Sequence, residues 1–332
     1  MPPGKCGQDG GVKDLIDDAL EVTVVGSFSS LGIRIRRALY GWANAEADAL
    51  RGRTVVITGP TSGLGRQATD DLAALGARVV LVGRSPERLA EVRDRLVASH
   101  GEDRFPTIVA DMASLASVRA AIAQIMASEP RIDVLVDNAG AIFPERTETA
   151  DGIESTLAVL AVGPFALASG VLPLLQATPS SRVIGVSSGG MYTQELALDD
   201  LGWESRPFSG PRAYARAKRA QVMLYREWAR RTPGSPTFVS MHPGWADTPG
   251  LSASLPGFAS VMGPILRTPA EGVDTLVWLA TTPEIGRLDG RFVHDRRARP
   301  FDRVPMTRVS AADRRRLWDE ITGMAGVEGP AR

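Results

Sequence analysis

Short apolar runs recur through the body of the chain, each closed by glycine or a polar turn and followed by a helical pattern. Thr54–Thr58 (TVVIT) is such a run, and Gly63–Leu75 after it carries apolar residues at helical spacing and stops at Gly76. Arg78–Val82 and a charged helix from Pro86 to about Ser99 repeat the unit. Further strands are predicted at Thr107–Ala110, Ile132–Val136, Arg182–Ser187, Thr237–Met241 and Gly290–His294. Helices fall near Leu115–Ala127, Pro211–Arg231 and Ala270–Ala280. Apolar strands alternating with helices imply a parallel sheet covered on both faces. The expected fold class is α/β, a Rossmann-type doubly wound parallel sheet.

Two uncharged stretches interrupt this rhythm. Ser155–Ser181 is long enough to cross a bilayer. It contains Pro164, Pro173, Gly163, Ser169 and Gly170, however, and reads as a buried helix that packs closely through small residues. Thr248–Leu266 is broken by Pro249, Pro256 and Pro264, which fits an apolar lid. The pattern divides the chain into an N-terminal extension (1–50), one α/β domain (51–300) and a C-terminal tail with a short helix (301–332). Within the extension, Ser27–Trp42 combines Phe28, Leu31, Ile33, Ile35, Leu39 and Trp42 with Arg34, Arg36 and Arg37. Peripheral membrane contact through residues 27–42 and an arm packed on the body are both compatible with this. The basic residues do not gather on one face, which favours the arm. Residues 1–20 carry several acidic groups and no apolar core segment, so no signal peptide is expected.

Composition narrows the function classes. The 332 residues hold 38 basic and 38 acidic side chains, so there is no electrostatic reason to expect nucleic acid. Cys6 is the only cysteine, which excludes an intramolecular disulfide or a cysteine metal cluster and fits a reducing, cytoplasmic setting. His100, His242 and His294 are widely separated and read as structural or surface groups, so no metal site is expected.

Lysine occurs only as Lys5, Lys13 and Lys218. The last stands four residues after Tyr214 within one predicted helix, so the two side chains share a face. An ammonium beside a phenol lowers its pKa from about 10 towards the working range of a general acid or base. Between the first strand and its helix lies Thr58-Gly59-Pro-Thr-Ser-Gly63-Leu-Gly65, a turn whose glycines admit a pyrophosphate to the helix N-terminus. The second strand ends in Gly83-Arg84-Ser85 and lacks the acidic residue usual for NAD. Arg84 suits a 2′-phosphate, so NADP is expected rather than NAD.

These motifs, taken in order, resemble the short-chain dehydrogenase/reductase family over about residues 50–295. T-G-x-x-x-G-x-G, Asp111 after the third strand, Asn138-Ala139-Gly140 after the fourth, Ser188 after the fifth, Tyr214-x-x-x-Lys218, and Pro243-Gly244 with Thr248 all match. S-S-G-G-M at 187–191 and M-H-P-G-W-A-D-T-P at 241–249 look closest to its dehydrogenase/reductase member 12-like branch. The resemblance implies a proton exchanged at a substrate oxygen by Tyr214, a hydrogen bond to that oxygen from Ser188, and a nicotinamide ribose held by Lys218. It also implies a cofactor lined by Gly59, Ser62, Gly63, Leu64, Gly65, Asp111, Met112, Asn138, Ala139, Gly140, Pro243, Gly244 and Thr248. Ser187 is the competing serine, turned away by strand alternation. The family implies a homodimer or homotetramer too, through the long apolar helix with Gly163, Ala166 and Gly170 at the contact.

Two positions depart from the family. Asp137 replaces the first asparagine of its N-N-A-G motif. Leu160 aligns with an asparagine of the long helix whose backbone carbonyl, in the family, holds a water linked to the active-site lysine. Pro164 has no amide to offer the Leu160 carbonyl, which leaves that carbonyl free for water. Met191, Tyr192, Trp245, Leu251, Leu255, Phe258, Val261 and Met262 are expected to line an apolar pocket under the lid, suited to a lipophilic ketone or secondary alcohol. The expected function is an NADP-dependent oxidoreductase. A cofactor-binding protein without turnover and a dehydratase or epimerase on the same fold are the alternatives.

Overall fold

The computed structural model describes residues 11–101, 103–254 and 256–327. Leu255, Lys5 and Cys6 lie outside them. Eight strands form one sheet in the order β3-β2-β1-β4-β5-β6-β7-β8. They are β1 (Thr54–Thr58), β2 (Arg78–Gly83), β3 (Thr107–Val109), β4 (Val134–Asp137), β5 (Arg182–Val186), β6 (Thr237–His242), β7 (Phe292–His294) and β8 (Arg297–Arg299). All neighbours are parallel except β7 and β8. That hairpin turns through Asp295 and Arg296, both at positive φ, which matches the right-handed twist of the flanking strands. Strand order reverses between β1 and β4, so a crevice opens where their carboxyl ends diverge.

Two cores cover the sheet, as buried apolar strands require. On one side α4 (Gly63–Ala74), α5 (Pro86–His100) and α12 (Pro269–Thr281) pack with Val55, Ile57, Leu81 and Val239. The other side holds α6 (Leu115–Ser128), the long apolar segment, α9 (Gly210–Arg231) and α13 (Ala311–Ala325), while α10 (Pro249–Ser254) and α11 (Pro256–Met262) lie in the proline-broken stretch after β6. The apolar segment runs as a short α7 (Ser155–Leu157), a π turn (Ala158–Val162) and α8 (Gly163–Ala177). It is buried in this core as read from the sequence. Its small residues are used inside the chain: a side chain on Gly170 would run into Ile122 of α6, one on Gly163 would meet the Met112 carbonyl, and Ala166 is buried.

The C-terminal segment carries more of the core than its polar sequence suggests. Trp318 on α13 meets Phe165 at 4.9 Å and Trp228 at 4.8 Å between ring centroids, and Trp228 stacks on Phe238. The N-terminal segment forms α1 (Val12–Val22), α2 (Val24–Phe28) and α3 (Ser30–Tyr40). Phe28, Ile33 and Arg36 are turned inwards, whereas Val12, Leu15, Val22 and Leu31 face out. Arg36 is the hub of the attachment. Its guanidinium donates to Asp17 at 2.6 Å, Asp295 at 2.7 Å and Glu21 at 2.8 Å, all in buried or half-buried surroundings. Burial opposes ionisation of Asp295, but His294, Arg267 and Arg36 hold its carboxyl well below the usual carboxylate range.

Candidate active site

A cavity of about 710 Å³ opens at the carboxyl ends of β1, β4, β5 and β6. At one end lies the turn between β1 and α4. Gly65 has to be glycine there, because a Cβ would collide with the Gly59 carbonyl and the Asn138 side-chain amide. Asn138 holds the turn from the next strand: its amide donates to the Thr58 carbonyl at 2.9 Å and to the Gly59 carbonyl at 3.1 Å. Thr58 Oγ1 in return accepts from the backbone of Asn138 and Ala139, both at 3.0 Å. This backbone cradle leads into the N-terminus of a 12-residue helix, the arrangement that suits a pyrophosphate.

Every cofactor residue named from the sequence lines this cavity, from Gly59, Ser62, Gly63, Leu64 and Gly65 through Arg84, Asp111 and Met112 to Asn138, Ala139 and Gly140, and on to Pro243, Gly244 and Thr248. Arg84 is exposed at its rim and has no acidic partner among the described residues. Arg88, in the first turn of α5, donates to the Thr61 carbonyl at 3.1 Å. The sequence reading missed it, although a second arginine in the first turn of the predicted helix, close behind Arg84, was the available signal.

Ser188, Tyr214 and Lys218 stand together at the other end. Ser188 caps the turn after β5, accepting from the Gly190 amide at 3.2 Å, while His242 Nδ1 accepts from the Gly189 amide at 3.0 Å. Ser187 points away, its hydroxyl donating to the Lys218 carbonyl at 3.3 Å. Burial pushes the Tyr214 phenol up to about 12, with the Ser188 hydroxyl opposing the shift. Lys218 does not offset it here. Its ammonium is turned onto the Val186 carbonyl at 2.6 Å and the Gln221 amide oxygen at 3.2 Å, 5.9 Å from the centre of the Tyr214 ring. The expected lowering of the Tyr214 pKa is thus not a property of the protein by itself, because desolvation outweighs a cation directed elsewhere.

The apolar wall is also redrawn. Trp245, Leu251 and Phe258 line the cavity as expected, with the Trp245 and Phe258 rings 5.0 Å apart. Met191 and Tyr192 instead sit in the core, where the Tyr192 hydroxyl donates to the Pro300 carbonyl at 2.7 Å and Met191 accepts from Arg219. Val261 points to solvent, and Met262 is not among the lining residues. Ile142, Phe143 and Val159 complete the wall. The sequence reading passed over the first two because they follow the Asn-Ala-Gly motif in an irregular loop. Leu160 is fully buried and fills the space under Gly140, where a Cβ would stand 3.2 Å from its methyl group.

The short chain dehydrogenase family model matches residues 53–255. Dehydrogenase/reductase SDR family member 12 of Homo sapiens is 36% identical over 247 residues, which cover 74% of this chain and 77% of that protein. Retinol dehydrogenase 14 of Mus musculus is 33% identical over 301 residues, covering 85% of this chain and 88% of its own. A solved structure from Mycobacterium paratuberculosis, 27% identical in sequence, superposes on 87% of this chain and 100% of its own with a TM-score of 0.68.

Proposed function

The chain belongs to the short-chain dehydrogenase/reductase family of NAD(P)-dependent oxidoreductases, and from that premise we propose that it uses NADP(H) to interconvert a lipophilic carbonyl compound and its secondary alcohol, with Tyr214 as general acid and base. One observation supports this above the others. A single cavity has a glycine cradle at one end, a Ser/Tyr/Lys cluster at the other and an apolar wall between them. The cradle fits a dinucleotide because a glycine turn leads into a helix N-terminus, and glycine at 65 lets that turn close on the Gly59 carbonyl and the Asn138 amide.

In the reducing direction the Tyr214 hydroxyl donates its proton to the substrate oxygen, and the Ser188 hydroxyl hydrogen-bonds the same oxygen as charge develops. A bound nicotinamide supplies the hydride in that direction and accepts it in the other. Lys218 has three donors and uses two on Val186 and Gln221, so one is left to hold the cofactor ribose and to stabilise the tyrosinate. Trp245, Leu251 and Phe258 exclude water from this exchange. Retinol dehydrogenase 14 is named for a lipophilic alcohol, and the apolar wall favours a substrate of that class here.

Arg84 is the proposed reader of the 2′-phosphate. Replacing it with alanine removes a charge-assisted contact of about 1.5–3 kcal/mol, so the NADPH KM should rise roughly 10–150-fold while the NADH KM stays unchanged. An unaltered NADPH to NADH ratio would show that the arginine is an ordinary surface residue.

Pro164 is proposed to keep the Leu160 carbonyl available for a relay water, since it has no amide to bond the carbonyl four residues earlier. Leu160 lies within the π turn and Pro164 two residues beyond its end, at a break in regular helical bonding. Pro164→Ala should lower kcat several-fold and leave NADPH binding within about twofold. Unchanged turnover would discard the relay.

A further inference from the structure

Lys218, Gln221 and Tyr225 are spaced i, i+3 and i+7, so α9 presents them on one face. That face meets the sheet where β4 and β5 lie side by side, with Asp137 paired to Gly185 in register. Gly185 makes room for the contact: a Cβ there would stand 2.8 Å from the Tyr225 ring. The Tyr225 hydroxyl reaches past it and donates to Asp137 Oδ2, while Oδ1 of the same carboxyl is buried without a partner among the described residues. Asp137, Gln221 and Lys218 are all almost fully buried. The two acceptors on the Lys218 ammonium, a backbone carbonyl and a side-chain amide, carry no charge. Burial pulls Lys218 down to about 8, and Asp137 is the charged group that acts against this. Burial raises Asp137 to about 7, with the Tyr225 hydrogen bond and the charge on Lys218 opposing. These two groups and Tyr225, itself raised well above 10 by burial and by Asp137, are the titratable partners facing one another from α9 and β4.

We propose that Asp137, held by Tyr225, is a positioning residue that keeps Lys218 charged in a site where its hydrogen-bond partners are neutral. The substitution of aspartate for the first asparagine of the N-N-A-G pattern thereby acquires a use. It puts a counter-charge within reach of the lysine from β4, at a residue that does not line the cavity. Above about pH 7 the Asp137 carboxylate is formed and supports the ammonium; without it, Lys218 discharges at lower pH.

This inference rests on the assignment of Lys218 to the catalytic cluster, and the test separates the two. The scarcity of lysine makes the group directly observable, since lysine labelled with 13C at Cε reports only Lys5, Lys13 and Lys218. The apo protein is titrated by NMR and the reductive pH profile is recorded alongside. Asp137→Asn is nearly isosteric, and its fold is checked by circular dichroism. The Lys218 midpoint should fall by about one pH unit in this variant, with the alkaline loss of kcat/KM moving down by the same amount. Tyr225→Phe provides a second reading. Its carboxylate keeps its proton to higher pH, so the Lys218 midpoint should fall by less. A Lys218 midpoint unmoved in both variants overturns the role of Asp137, even where Tyr214→Phe abolishes turnover. A shifted midpoint with an active Tyr214→Phe enzyme leaves the electrostatic coupling standing and removes the catalytic assignment instead.

Discussion

Tyr214→Phe should lose about 10²–10⁴-fold in kcat against any carbonyl substrate the wild type reduces, with NADPH affinity held within about twofold. The phenol is the group proposed to pass its proton to the substrate oxygen, and it lines the cavity with Ser188 and Lys218. With its pKa pushed up to about 12, it is fully protonated at neutral pH and available as an acid. Phenylalanine keeps the ring and its packing and removes only the hydroxyl. Lys218, Ser188 and the glycine cradle are untouched, so cofactor binding has no reason to change. The measurement is NADPH absorbance over a carbonyl panel, with fluorescence quenching for binding. Retained turnover would sink the acid/base assignment. Loss of turnover with retained NADPH binding also argues against a protein that binds the cofactor without chemistry, and stoichiometric NADPH consumption by the wild type excludes dehydration or epimerisation.

Arg36→Met should be the most damaging single change outside the cavity. It leaves Asp17 and Asp295, both fully buried, facing each other with one cation fewer. Breaking a buried ion network by removing one partner costs about 3–5 kcal/mol. At roughly 2–4 °C per kcal/mol, the Tm should fall by about 10 °C. The effect should reach the site. Phe28 packs on His242 at 4.4 Å and on Trp245 at 5.9 Å, its carbonyl accepts from the Trp245 amide at 2.8 Å, and its ring closes over Gly189. A loosened arm therefore raises substrate KM before it alters kcat. An unchanged Tm would show that the N-terminal helices are an appendage and that Arg267 and Asp295 hold the loop unaided.

The same contacts explain why the role of the first fifty residues was hard to read. Phe28, Ile33 and Arg36 mix apolar and basic side chains in a pattern that serves a lipid surface and a buried ionic joint equally well. The acids that decide between them, Asp17 nearby and Asp295 far along the chain, are brought to Arg36 only by folding. Pocket residues posed the same difficulty. Val261 and Phe258 are apolar residues three apart on one short helix, Pro256–Met262, yet one faces solvent and the other packs on Trp245. The cofactor cradle was easier because its requirement is local: a strand, a glycine turn and a helix start occupy a dozen consecutive residues.

By itself the sequence determined the alternation of apolar strands and helices, the glycine turn after β1 and the spacing of Tyr214 from Lys218. Each depends on periodicity or backbone freedom over a few residues. Tertiary structure alone decided where the Lys218 ammonium points, what lies behind it, and how the terminal helices attach. Those outcomes depend on burial and on charges that meet across long separations, such as Asp137 with Tyr225 and Asp17 with Arg299. Desolvation acts on a group according to all that surrounds it, and a linear pattern records only its neighbours in the chain.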